Sequence, residues 1–176
     1  MKKKYFAFML VIALGLVLTA CSGSNTNSGT NNNTSTNQEA EVSTTKTTKE
    51  MVDEMLAKIE QPSLVEMTGD MVNQMYYFDA SLLDQYTIMS PMMNIKTNEV
   101  AVFKVKDAKD LTAVQDGIKK RAADIQKTFE TYLPDQYENA KNYKLVTKGN
   151  YVFFVIADAA DVDKFINAFD SFFEQK

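Results

Sequence analysis

Two passages of the chain break off in the same way, and together they set the terms for any fold. Glu99 to Lys106, "EVAVFKVK", is rich in Val and Phe and runs into "DAKDL"; Tyr151 to Ala157, "YVFFVIA", runs into "DAADV". A β-rich run followed by closely spaced aspartates reads as a strand leading to a helix start, because Asp accepts from the unpaired N–H groups of a first turn. Helical periodicity follows at both places. Leu111, Val114, Ile118, Ala122, Ile125 and Phe129 share one face of a helix running to about Tyr132, which Leu133-Pro134 stops. Val162, Phe165, Ile166, Phe169 and Phe173 line up after Asp158 or Asp161. Gly149-Asn150, between Tyr143–Lys148 and Tyr151–Ala157, is a two-residue hairpin signal.

An offset of 51 residues lays these halves over one another. "LLDQY" (82–86) falls on "LPDQY" (133–137), and eight of thirty positions over 82–111 are identical, against roughly two from average residue usage. The expectation is an α+β fold with a four-stranded, mostly antiparallel sheet. Two β-hairpin-plus-helix units build it, a candidate internal repeat over 82–125 and 133–176, with the helices on one face. Short N-terminal helices complete it. One starts at a capping box, Thr47-Thr48-Lys49-Glu50, and carries Val52, Met55, Leu56 and Ile59; another spans 68–78, with Met67, Met71 and Met75 at i+4 spacing. Asp79 to Gln85 reads as a further helical turn.

Ahead of this domain the chain changes character twice. Lys2, Lys3 and Lys4 precede an apolar stretch from Tyr5 to Leu18, and small residues lead to Cys21, the only cysteine. That is the order of a secretory signal peptide over residues 1–20, and Leu18-Thr19-Ala20-Cys21 has the form of a bacterial lipobox. Cys21 is then the lipid attachment point: its thiolate is alkylated, and two or three acyl chains hold a protein on a membrane where one gives only reversible binding. Residues 21–49 are otherwise Ser, Gly, Asn and Thr, too polar to offset their ordering entropy, and read as a disordered tether. Residues 50–176 form a single domain. Fourteen of the 19 Lys+Arg and 21 of the 23 Asp+Glu fall there, a formal charge of −7 that argues against nucleic acid as a partner.

Three segments, "YTIMSPMMNIKTNEVAVFKVKD" (86–107), "YLPDQYE" (132–138) and "VTKGNYVFFVIADAA" (146–160), resemble domain of unknown function number 4358, found in small lipoproteins of Gram-positive bacteria. The resemblance covers about residues 65–174, and "SPMMN" and "KGNYV" are its more specific parts. It implies an extracytoplasmic lipoprotein and carries over no catalytic residues.

The chemistry the chain lacks narrows its function. With no histidine, Ser-His-Asp and Cys-His nucleophiles and imidazole metal sites are excluded. No domain serine has a lysine three residues on: Ser63, Ser81, Ser90 and Ser171 meet Glu66, Asp84, Met93 and Glu174. Gly-rich phosphate loops are missing. Paired carboxylates can hydrolyse glycosides, yet Asp107, Asp110, Asp158 and Asp161 stand where helix caps are needed. Asp158, Asp161 and Asp163 lack the spacing and glycine of an EF-hand. No cofactor is implied.

Methionine is the unusual component, with eight of ten between Met51 and Met93. Thioethers bind Cu(I) without histidine, and Met89-x-x-Met92-Met93 has ligand spacing. Met51, Met55, Met71 and Met75 suit a helix-face core, and flexible Met also serves adaptable protein contacts. "SPMMNIKTN" (90–98) joins two strands yet offers apolar side chains among turn residues. The candidate partner-binding residues are therefore Tyr86, Met89, Ser90, Pro91, Met92, Met93 and Asn94. Tyr76, Tyr77 and Phe78 could extend the patch. The composite expectation is a non-catalytic lipoprotein on the outer face of the cytoplasmic membrane, anchored through Cys21, that binds an envelope protein. A small-ligand, Cu(I) or Ca²⁺ binder is the alternative, with a carboxylate hydrolase behind it.

Overall fold

The computed structural model describes residues 43–174; the segments read from sequence as a signal peptide, a lipobox with Cys21 and, up to residue 42, a tether lie outside the described residues. Thr47 caps helix α1 (Thr48–Lys58) through the reciprocal bonds its spacing implies. Glu50 N–H donates to Thr47 Oγ1 (3.2 Å), and Thr47 N–H donates to Glu50 Oε2 (2.8 Å). Strand β1 (Leu64–Glu66) follows, then α2 (Asp70–Tyr76), a 3₁₀ turn at Ala80–Leu82, β2 (Leu83–Pro91) and β3 (Glu99–Val105). The second half comprises α3 (Leu111–Phe129), α4 (Pro134–Lys141), β4 (Lys144–Lys148), β5 (Tyr151–Ile156) and α5 (Ala159–Ser171).

The strands form one antiparallel sheet in the order β1-β2-β3-β5-β4, with five helices packed on it. Five strands, rather than four, arise because β1 adds to the edge of β2, with Val65 opposite Ser90. Three residues are too few to show any alternation, so β1 has no sequence signature.

The helices cover both faces, which corrects the expectation of one. Ala101, Phe103 and Val105 of β3, with Val152, Phe154 and Ile156 of β5, pack under α2, α3 and α4. The intervening Val100, Val102, Phe153 and Val155 pack under α1 and α5, through Met51, Val52, Met55, Phe165 and Phe169. The reason lies in the strands themselves. β3 and β5 are apolar at nearly every position, and a strand apolar on both sides needs a layer on each.

Two hairpin-plus-helix units are present, β2-β3-α3 and β4-β5-α5, and at the 51-residue offset they coincide from the second strand of each into the helix that follows. "DAKDL" and "DAADV" both leave a central strand and open a helix, but α3 and α5 lie on opposite faces. "LLDQY" spans the 3₁₀ turn and the start of β2, whereas "LPDQY" opens α4, with Pro134 in the first turn, where its missing N–H is no loss. Pro134 thus both ends one helix and starts another. Of the four aspartates read as caps, Asp107 accepts from Lys109 N–H (3.1 Å), while Asp110 and Asp158 make no cap bond. Asp158 Oδ1 instead accepts from Asn139 Nδ2 (2.6 Å), and Asp161 pairs with Lys164 (2.7 Å).

Candidate functional site

The connection from β2 to β3 is held firmly at one end and open at the other. At its far end three polar residues in succession, Thr97, Asn98 and Glu99, are buried. Each is bonded to a different part of the fold. Thr97 N–H donates to Gln136 Oε1 on α4 (3.1 Å), and its hydroxyl to the Gln136 carbonyl (3.1 Å). Asn98 Nδ2 donates to Gln61 Oε1 (2.9 Å). These bonds tie the turn's base to α4, to Gln61 and to α3, although the Asn98 side-chain oxygen is buried without a partner among the described residues. The turn's tip is not covered: Met92 is 71% exposed, Met93 64%, and Ile95 is exposed beside them.

Glu99 makes the third connection. It is 1% exposed and faces Arg121 of α3, which donates from Nε to Oε1 (3.1 Å) and from Nη2 to Oε2 (2.6 Å). The Tyr76 hydroxyl, from the last residue of α2, donates to Glu99 Oε1 at 2.5 Å. A bidentate guanidinium suits a planar carboxylate as a lysine ammonium does not. Burial and the adjacent Glu99 charge hold the Tyr76 hydroxyl well above the ordinary phenol range. Burial alone pulls the Arg121 guanidinium down, and the hydrogen bonds and charge of Glu99 more than reverse that, leaving it above its usual value. The Arg121 guanidinium also lies 5.9 Å from the Tyr76 ring centroid.

Helix α3 runs back along the sheet from the end of β3, so its second half passes over the β2–β3 turn. A cleft of about 290 Å³ lies between them. Met75, Met92, Met93, Ile125 and Phe129 give it apolar walls, and Glu99, Arg121, Asp124 and Lys96 supply its charges. Asp124 accepts from the hydroxyl of Tyr77, an exposed residue in the left-handed region (φ 57°) that ends α2. The close approach of α2 to α3 depends on Gly117. A Cβ there would stand 2.2 Å from the Tyr76 carbonyl oxygen and 2.5 Å from Phe78 Cδ1.

Five of the seven residues singled out from sequence, Ser90, Pro91, Met92, Met93 and Asn94, line this cleft. Tyr86 and Met89 do not. Side chains alternate along β2, which turns Met89 to the opposite face of the sheet, while Tyr86 packs against the core further down the strand. Tyr76 and Phe78 are core, and only Tyr77 of that trio is exposed. Met71 is 51% exposed, contrary to the core reading, because α2 begins at Asp70 and buries Val72 and Tyr76 instead. Among the described residues, no group of three acidic or cysteine side chains is placed to hold a metal ion. Sequence reasoning misses Glu99 and Arg121; Tyr76 is named there only as an extension of the exposed patch, and Lys96 lies in the 90–98 segment without being singled out. One signal was available: Arg121 is the only arginine in a chain with 19 basic residues.

A family model described as domain of unknown function (DUF4358) matches residues 57–157, more than half of the chain. No curated protein matches the chain, and no solved structure does. The matched span contains the β2–β3 turn, Glu99, Arg121 and Tyr76, and the chain belongs to the DUF4358 family.

Proposed function

We propose that this DUF4358 protein is a non-catalytic, membrane-anchored lipoprotein, held through Cys21 on the outer face of the bacterial cytoplasmic membrane, that binds a protein of the cell envelope at the methionine turn. One observation carries the reading: adjacent, largely exposed methionines stand at the mouth of a cleft whose base is bonded into the fold. Exposed apolar side chains clustered on a fixed support suit a contact surface, and methionine adapts its shape to a partner. Tethering through Cys21 raises the local concentration of that surface near other envelope components.

Two competing readings fit less well. Both Glu99 oxygens are occupied by Arg121 and Tyr76, and Asp124 holds Tyr77, so neither carboxylate is poised for acid–base chemistry. Three methionines share the cleft, as a Cu(I) site would want, but Arg121 offsets Glu99 and Lys96 offsets Asp124 there, which leaves no net charge to attract a cation. The test is photocrosslinking in living cells from position 92 or 93, with Asp163, exposed on α5, as the control site. A discrete adduct from 92 and 93, absent from 163, is expected. Equal labelling from all three positions would count against the proposal.

A further inference from the structure

Arg121 has more hydrogen-bonding capacity than Glu99 uses. A guanidinium carries five N–H donors, and Glu99 takes one from Nε and one from Nη2. Among the described residues Arg121 makes no other hydrogen bond, and its remaining nitrogen is not sealed away; the side chain, 13% exposed, borders the cleft. Lys96 borders the same cleft and forms no ion pair among the described residues. Of the cleft's two acids, Glu99 is bonded by Arg121 and Tyr76, while Asp124 accepts from the neutral Tyr77 hydroxyl and keeps its charge. The Lys96 ammonium and the unused N–H donors of the Glu99-paired Arg121 therefore sit next to walls of Met75, Met92, Met93 and Phe129.

From this placement we infer that the cleft receives the C-terminus of a polypeptide whose last residue is apolar, its carboxylate on Arg121 and Lys96 and its side chain against the methionines. The inference rests on the protein-binding reading above and adds the chemistry of the partner. A terminal residue suits the geometry because its carboxylate and side chain leave the same carbon, so one residue meets both the charge and the apolar wall. The volume, about 290 Å³, is at the small end for ligand sites and leaves room for a chain end rather than a long segment. Capture of a terminal carboxylate by converging donors is an established mode of peptide recognition.

The experiment uses the full chain in lipid nanodiscs, labelled at the methionine methyl groups with carbon-13. It is titrated with a leucine-terminated hexapeptide as the free acid, with the same peptide amidated, and with N-acetyl-leucine. Saturable shifts at Met92 and Met93 with the free acid, and none at Met71, are expected. Loss of charge-assisted hydrogen bonds should weaken the amide about tenfold or more. Lys96→Gln should weaken the free acid several-fold while leaving the unliganded methyl spectrum unchanged, which separates the effect from a folding defect. Equal binding of acid and amide, or no shifts at millimolar peptide, overturns the inference. N-acetyl-leucine, which carries the same carboxylate and side chain on one carbon, should shift the same methyl groups; a hexapeptide that binds while N-acetyl-leucine leaves Met92 and Met93 unmoved overturns the inference. If the peptides fail while crosslinks still form at position 92, the partner chemistry is wrong and the contact surface stands; if both fail, both readings go.

Discussion

Replacing Gly117 by alanine tests whether the site is built as described, because two physical effects predict opposite signs. In the interior of α3, alanine is favoured over glycine by about 1 kcal/mol of helix propensity. The structure opposes that gain. The new methyl would lie 2.2 Å from the Tyr76 carbonyl oxygen and 2.5 Å from Phe78 Cδ1, so α3 and α2 must separate by on the order of 1 Å to restore ordinary contact. Neither neighbour yields easily: Phe78 is buried against Tyr76 and Phe103, and Tyr76 is bonded to Glu99. Overpacking a core of this kind costs about 1–3 kcal/mol, and contact with main chain belongs at the upper end. Subtracting the propensity gain leaves a net loss of about 2 kcal/mol, or roughly 8 °C in melting temperature for a domain of this size. Thermal and urea unfolding of the full chain, followed by circular dichroism, would measure it. A variant as stable as the parent, or more stable, would mean that α2 and α3 are not in contact and that Tyr76 is not fixed as stated.

Three further outcomes follow from the same geometry. Glu99→Gln leaves the Arg121 charge buried without its counter-ion and should destabilise by about 3–5 kcal/mol in urea unfolding, whereas a surface carboxylate such as Glu138 should change stability little. The Tyr76 hydroxyl loses its proton less readily in the fold than in the unfolded chain, so its contribution is intact below about pH 10 and declines as pH rises beyond it. Tyr76→Phe, though less stable at neutral pH, should therefore lose less stability than the parent between about pH 9 and 11, a comparison in which the lysines cancel. Cys21→Ser should move the protein from the membrane fraction to the soluble one, measured by fractionation and fatty-acid labelling; unchanged membrane association would count against the lipid anchor.

What the sequence made legible follows the range of each interaction. The α1 capping box is contained in four residues, and the Gly149-Asn150 turn in two. That turn places its positive φ on Gly149 alone, the hairpin form with glycine first. Such local signals carried through. The two-sided sheet was also written in the chain, since β3 and β5 lack polar alternation, but the assumption of a solvated face obscured it. Helix α4 is hidden in the sequence because Pro134, which cannot continue α3, also serves as a helix start. The floor of the cleft could not be found by local reading at all. Glu99, Arg121 and Tyr76 come from three elements separated by 22 and 23 residues, and only the tertiary fold brings them together. The methionine turn was visible because its apolar side chains sit among turn residues, whereas the arginine beneath it was marked only by being unique.

The central claim is that Met92 and Met93 are covered by a protein partner in the intact envelope. Brief peroxide oxidation, with the sulfoxide at each methionine quantified by mass spectrometry, measures this within a single side-chain chemistry. In the purified chain Met71, Met92 and Met93 should all oxidise readily, while Met51, Met55 and Met67, buried in the core, should be protected. In intact cells the account predicts that Met92 and Met93 oxidise several-fold more slowly than in the purified chain, while Met71 keeps its rate. Met92 and Met93 oxidising at the purified-chain rate in cells, in step with Met71, would contradict it.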